Sequence, residues 1–214
     1  MPRTVTVKGV GAVSIKPDHI EITLNVISKA DEYAEAVNAA NAAVVKLQDA
    51  ITSVGFAREE LKTLNFNVKT NYENEADDMG RYRRVFRGYV CGYRLKLGFD
   101  MNVALLSRTI DAIAGSGADA ELSISFTVKS PERVSDELLR SAAQNAREKA
   151  ETLCAASGVK VGELLSIDYN WSDINVYSVS SYAAAGEAVR GITPEFEPED
   201  IKAQDTATFV WTII

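Results

Sequence analysis

The chain has 214 residues, 46% hydrophobic and 25% charged, a composition that suits a soluble globular protein and argues against wholesale disorder. Its formal net charge of -7 and pI near 4.9 disfavour a protein whose main task is holding nucleic acid, because that binding rests on Lys and Arg neutralising phosphates. The two cysteines, Cys91 and Cys154, form no CxxC or metal-spaced set, so neither a zinc site nor a disulfide framework is supported.

Met1-Pro2-Arg3 runs directly into a strand-like Thr4-Val5-Thr6-Val7 with no apolar leader segment. No apolar run approaches the ~18 residues that span a bilayer. The expectation is a soluble, cytoplasmic protein, or a periplasmic or envelope one if a leader has been removed. Residues 4–8 and 12–16 both alternate, and Gly9 and Gly11 between them predict a tight strand connection or bulge, where positive φ or close backbone approach is required. A dinucleotide loop is the poorer reading: the third glycine of GxGxxG would fall on Ser14, and a strand follows where a helix N-terminus is needed.

His19 to Val26 alternates cleanly, with Ile20, Ile22, Leu24 and Val26 on one face and His19, Glu21, Thr23 and Asn25 on the other. Asp31 is the expected N-cap of a helix whose stripe is Tyr33, Val37, Ala40, Val44, Leu47, Ile51 and Val54, with Gly55 as its C′ residue. The spacing also fits a coiled coil, but a helix lying on a sheet is the plainer account. A strand from Leu61 to Tyr72 and another from Val85 to Phe99 flank Glu73 to Arg84. That segment is acidic and then basic, and it reads as the solvated tip of a hairpin arm. Asn102 to Ala114 predicts a shorter helix with Val103, Leu106, Ile110 and Ile113 inward, and Leu122 to Val128 a further strand.

This order of strand, helix, strand, strand, helix, strand is the split βαβ pattern of ferredoxin-like folds. The predicted class is α+β: an antiparallel or mixed sheet with helices packed on one face, the βαββαβ core being followed by a long helix and two further strands. Ser130-Pro131-Glu132 opens that helix, with an inward stripe of Leu138, Ala142, Ala146, Ala150 and Leu153. The last strands are expected at Leu164 to Trp171 and Thr206 to Ile214. A single domain over residues 1–214 is expected, with a hairpin arm around 66–90 and a long irregular segment, 172–203, that is either mobile or a contact arm.

No catalytic constellation stands out. His19 is the one histidine, and no serine or cysteine is placed near it, so it reads as a solvated strand-edge residue. Cys91 and Cys154 read as buried small hydrophobes. The carboxylates of Glu73 to Asp78 and Glu195 to Asp200 lack the pattern of a calcium loop. No catalytic, cofactor-binding or metal-ligating residue is assigned, and no cofactor is expected. Arg81, Arg83, Arg84 and Arg87, interleaved with Tyr82, Phe86 and Tyr89, could suit nucleic acid or an anionic surface, against which stand the acidic residues just upstream.

Taken in order, these residues resemble the SIMPL domain family (domain of unknown function 541), which includes the YggE-like proteins. The positions that carry the resemblance begin with Val7-x-Gly9-x-Gly11, Pro17-Asp18 and the strand Ile20 to Val26. Val54-Gly55, Leu61-Lys62-Thr63, Gly88-Tyr89 and Gly117-Ala118 follow. The strongest block is Leu139 to Gly162, where Ala142, Ala143, Ala146, Lys149, Ala150, Leu153 and Gly158 look like the family's alanine-rich helix and its exit. The resemblance implies no established enzymatic activity and no transferable site residues. The roles it implies are stress tolerance, signalling adaptors and homo-oligomeric assembly.

The leading expectation is therefore a non-enzymatic interaction domain that forms a homo-oligomer. Its candidate surface is Tyr72, Arg81, Tyr82, Arg83, Arg84, Arg87, Tyr177 and Tyr182. One alternative is an enzyme or small-molecule-binding domain with a pocket between sheet and helices. Another is nucleic-acid binding through the Arg81 to Arg87 arm. The apolar strand Phe209 to Ile214 would need a partner if it lay on an edge.

Overall fold

The computed structural model describes residues 3–76, 82–170, 176–178, 182–185 (backbone only) and 196–214. The architecture is α+β, and the described residues form two antiparallel-paired sheets, each within its own compact unit.

The first unit comprises residues 1–18, 127–179 and 198–214. Its sheet has the order β1 (Thr4–Ile15), β8 (Ile201–Ile213), β6 (Val161–Asp168), with β8 antiparallel to both neighbours. The last strand of the chain is therefore central and not an edge, so Phe209 to Ile213 has partners on both sides. β8 alternates strictly: Ile201, Ala203, Asp205, Ala207, Phe209 and Trp211 are buried, and the intervening residues are exposed or half-buried. Helix α3 (Pro131–Ala156) contributes Ala146 and Ala150 to a core shared with Val7, Phe209 and Trp211. Nearer its start, Val134 and Leu138 pack with Ile201 and Ala203. Its buried stripe ends on Cys154; Leu153, expected inward, is 53% exposed. Ser130 is the N-cap with Pro131 behind it, but its side chain makes no capping bond.

β1 corrects the reading of the two glycines. It is one continuous strand, in register with β8 from Thr4 opposite Thr212 to Ile15 opposite Ile201, with no turn or bulge between. Close approach is what the glycines provide. A Cβ on Gly9 would fall inside contact of the Ala142 carbonyl oxygen, and one on Gly11 inside contact of the Leu138 carbonyl. The alanine-rich face of α3 and the glycines of β1 are two sides of one packing solution, in which helix backbone rests almost on strand backbone.

The second unit comprises residues 19–126 and 180–197. Its sheet runs β3 (Lys62–Ala76), β4 (Tyr82–Asp100), β2 (His19–Ala30), β5 (Ala120–Thr127, its last residue grouping with the first unit), β7 (Tyr182–Ala185). The first four strands take the order that a split βαβ core requires. One face meets helices α1 (Tyr33–Val54) and α2 (Val103–Gly115). Ile20, Ile22 and Leu24 of β2, Leu95 and Leu97 of β4 and Phe126 of β5 are fully buried there with Leu47, Ile51 and Leu106. α1 begins after Glu32, not Asp31, and Glu32 makes no side-chain cap; Gly55 closes the helix at φ 115°. Asn102 caps α2 by accepting from the Leu105 N–H at 3.0 Å.

Candidate functional site

β3 and β4 extend as a hairpin whose ends, Ala76 and Tyr82, still lie opposite each other. Much of the expected tip is thus strand; residues 77–81, including Arg81, lie outside the described residues. The hairpin register places the acidic run against the basic one. Arg83 lies 3.9 Å from Glu75, and Arg87 bridges Glu73 at 3.4 Å and also pairs with Glu75. Arg84 sits over the Tyr72 ring, 4.3 Å from its centroid. The described arginines of the arm therefore have internal partners, and the charges that looked segregated along the chain are balanced across strands.

Between Thr70 and Tyr72 the register slips by one residue on β4, and the extra residue falls beside Gly88. Gly88 has φ +84° and lies so close to the Ala30 carbonyl that a Cβ would overlap it. This bulge brings Phe86 and Tyr89 onto one face, where their rings meet edge-on at 5.5 Å. Tyr72 extends the row toward the tip, 5.6 Å from Phe86, and Tyr33 of α1 extends it the other way, 5.7 Å from Tyr89. Each such contact contributes about 0.5–1.5 kcal/mol beyond area burial. Tyr72 and Phe86 nonetheless remain 42% and 46% exposed, and Tyr82 78%. Sequence reasoning named Tyr72, Tyr82, Arg83, Arg84 and Arg87 but missed the part of Gly88, whose signal was a glycine inside an otherwise continuous strand.

Tyr177 is elsewhere, in the first unit, where it bridges Thr127 and is 47% exposed. The backbone of Tyr182 pairs with Ile124 in β7. The candidate surface is thus split between the units, with the hairpin arm holding its largest part.

His19 is less solvated than its alternation predicts. Its side chain is 20% exposed and lies over Gly98, with Nε2 2.8 Å from where a Cβ on Gly98 would be and Nδ1 3.9 Å from Asp100. Cys91 and Cys154 are free thiols and buried, as expected; burial pushes the Cys91 thiol pKa up, which opposes thiolate chemistry. Asp18, beside Pro17, is structural: its N–H donates to the Thr127 carbonyl at 3.1 Å, and its carboxylate accepts from the Lys129 N–H at 2.7 Å. Among the described residues no group of three or more His, Cys, Asp or Glu is arranged to hold a metal, and no helix is long and apolar enough to cross a membrane.

The residues that build the glycine-bearing first strand, the split βαβ unit and the alanine-rich helix lie within a match to the family model SIMPL, described as a protein of unknown function (DUF541), over residues 5–211. The chain belongs to this family. Among curated proteins the SIMPL chain is similar to the 26 kDa periplasmic immunogenic protein of Brucella melitensis, at 26% identity over 166 residues. That match covers 78% of this chain and 66% of the Brucella protein, so the chain matches just under two thirds of that relative's length. The protein named uncharacterized protein YggE of Edwardsiella ictaluri is 24% identical over 99% of the SIMPL chain and 87% of its own length. A solved structure titled as a hydrolase from Listeria innocua aligns over 95% of this chain and 92% of its own at 9% identity, with a TM-score of 0.25 that carries no argument about fold or activity.

Proposed function

We propose that this SIMPL chain is a non-enzymatic module that works by self-association, with the aromatic face of the hairpin arm as its main contact. The observation that supports this most is the row Tyr72, Phe86, Tyr89 and Tyr33. It is ordered by ring contacts and a bulge glycine, and yet its outer members stay half open to solvent. Aromatic side chains that are held rigid lose little further entropy on docking, which suits an interface. Edge strands add to the case. β3 and β6 border their sheets, and β6 exposes Leu164, Leu165 and Ile167 along its length. The periplasmic location in the Brucella relative's name favours an envelope placement over the cytoplasm.

Multi-angle light scattering of the whole chain at micromolar concentration tests the proposal. An oligomer that dissociates when Tyr72 and Phe86 are both replaced by serine is the expected result. A clean monomer, or an oligomer indifferent to those changes and to removal of the arm tip, would falsify it.

A further inference from the structure

We infer that the second unit carries a binding groove for a small acidic sugar on the sheet face opposite its helices, independent of any self-association. The groove has a volume of about 460 Å³ and lies across β3, β4 and β2, with Glu121 of β5 at its border. Register builds it from residues far apart in the chain. Asn25, Arg94 and Asn65 form one cross-strand row; Ile27, Gly92 and Asn67 form the next; Lys29, Val90 and Lys69 form a third.

Gly92 forms the floor. Its pairing is unbroken toward both neighbours, and it is not among the glycines with positive φ, so neither a bulge nor a turn requires it. A Cβ there would meet the Asn67 Oδ1 at 2.8 Å, the flexible end of a side chain, and no backbone closer than the Val26 carbonyl at 3.9 Å. A glycine inside a strand weakens the strand, and it is commonly found where something must approach the backbone closely. The other glycine on this face of β4, Gly98, has its space filled by the His19 ring. At Gly92 it is the Asn67 carboxamide, one of the polar groups that line the groove, that lies in that space, at 2.8 Å.

The charge of the face is the reverse of the chain's. Over a chain of net charge -7, these rows hold Lys29, Lys69 and Arg94, and the row beside them, outside the groove lining, sets Lys62 directly opposite Lys96, a repulsive placement. Glu21 pairs with Lys96 at 2.9 Å, which leaves Glu121 as the carboxylate lining the groove. Arg94 has no ion pair or hydrogen bond among the described residues, and it stands between two asparagines. A guanidinium fork matches a carboxylate through two parallel bonds. Carboxamides both donate and accept, as sugar hydroxyls require, and Ile27, 55% exposed, offers an apolar contact to a ring face. A single-stranded nucleic acid fits less well, because base stacking needs exposed rings. The one aromatic residue of the lining, Tyr93, packs its ring on Phe66 at 4.7 Å and bonds Asn41 through its hydroxyl at 2.8 Å. The ligand class is therefore a uronate, its carboxylate on Arg94 and Lys69 and its hydroxyls on Asn25, Asn65 and Asn67.

The test is a titration of the full isotope-labelled chain with digalacturonate, followed by amide chemical shifts, with the neutral digalactoside and inorganic phosphate as parallel probes. Saturable shifts centred on Asn25, Asn65, Gly92 and Arg94 are expected with the uronate. R94Q should weaken it by about tenfold or more, the loss expected for one bidentate charged contact, and G92V should weaken it by displacing the Asn67 carboxamide and filling the floor. R94Q removes no ion pair or hydrogen bond among the described residues, so it is expected to stay folded even if G92V does not. Absence of saturable shifts, equal binding of the neutral sugar or of phosphate alone, preferential binding of single-stranded nucleic acid, or binding indifferent to R94Q would each overturn the inference. Light scattering on the same samples reads assembly separately, so failure of one proposal is not failure of the other.

Discussion

Gly11 and Leu138 are held closer than any residue with a side chain at position 11 would permit, because the Leu138 carbonyl occupies the volume of the missing Cβ. The same holds for Gly9 beneath Ala142. Gly9→Ala and Gly11→Ala should therefore each lower stability by about 1–3 kcal/mol or more, as overpacking does where backbone must move. The sign discriminates. If the glycines served strand conformation alone, alanine would stabilise the strand by roughly 0.5–1 kcal/mol. Urea unfolding midpoints decide between these outcomes.

Leu138 and Leu153 lie on the same helix with opposite environments. Leu138 is fully buried and Leu153 is 53% exposed. Leu138→Ala should cost about 2–5 kcal/mol, while Leu153→Ala should stay within about 0.5 kcal/mol. Thermal unfolding of the two variants side by side would show it, and equal losses would contradict the stripe ending on Cys154.

Alkaline pH should loosen the first unit through Tyr169. Its hydroxyl donates to the Asp205 carboxylate at 2.8 Å, and that bond, followed by desolvation and the charge of Asp205, raises the Tyr169 pKa above 10.0. A folded pKa raised above its unfolded value contributes stability that is fully present below the unfolded value and is lost as pH rises through the folded one. Cys91, raised by burial from 9.0, acts with the same sign in the second unit, starting about one unit lower. Unfolding curves between neutral pH and pH values above 10.0 should fall for the wild type. Tyr169→Phe should flatten the later part of that fall; an unchanged profile would remove Tyr169 from the account.

Gly88→Ala should destabilise by more than about 1 kcal/mol, since it combines a left-handed backbone with overlap on the Ala30 carbonyl. The bulge also sets the facing of Phe86 and Tyr89. The variant should therefore lose near-ultraviolet circular dichroism from the aromatic row while keeping the far-ultraviolet spectrum of the helices. Retention of both signals would mean that the row does not depend on the bulge.

Much of this architecture was legible in the sequence because alternation and helical spacing are local. The strands around Ile22, Leu95 and Ile124 and the helices around Leu47 and Ile110 declare themselves by which neighbours are apolar. Features set by pairing partners distant in the chain were not legible. Thr206 to Ile213 reads equally well as edge or centre until β1 and β6 are seen on its two sides. Gly9 and Gly11 signal close approach, but only α3 shows what approaches. The arginines of the arm looked like a basic patch because their carboxylate partners are adjacent only through hairpin register. The open-face groove went unseen because Asn25, Asn65, Gly92 and Arg94 meet only when three strands align.

The pairing of Thr4 with Thr212 also governs the order in which the molecule can be completed. Residues 19–126 supply four adjacent strands and both helices of the second unit from one contiguous stretch. That unit can assemble from contacts of moderate range while the rest of the chain is still being made. The first unit cannot: β1 precedes the second unit, yet its partner strand among the described residues, β8, follows it by about 190 residues, from Thr4 opposite Thr212 to Ile15 opposite Ile201. Contacts of such sequence separation form slowly, and β1 must spend that interval with its ladder groups open. The glycine-bearing strand that carries the family resemblance is thus also a segment open to misassociation until β8 has been made.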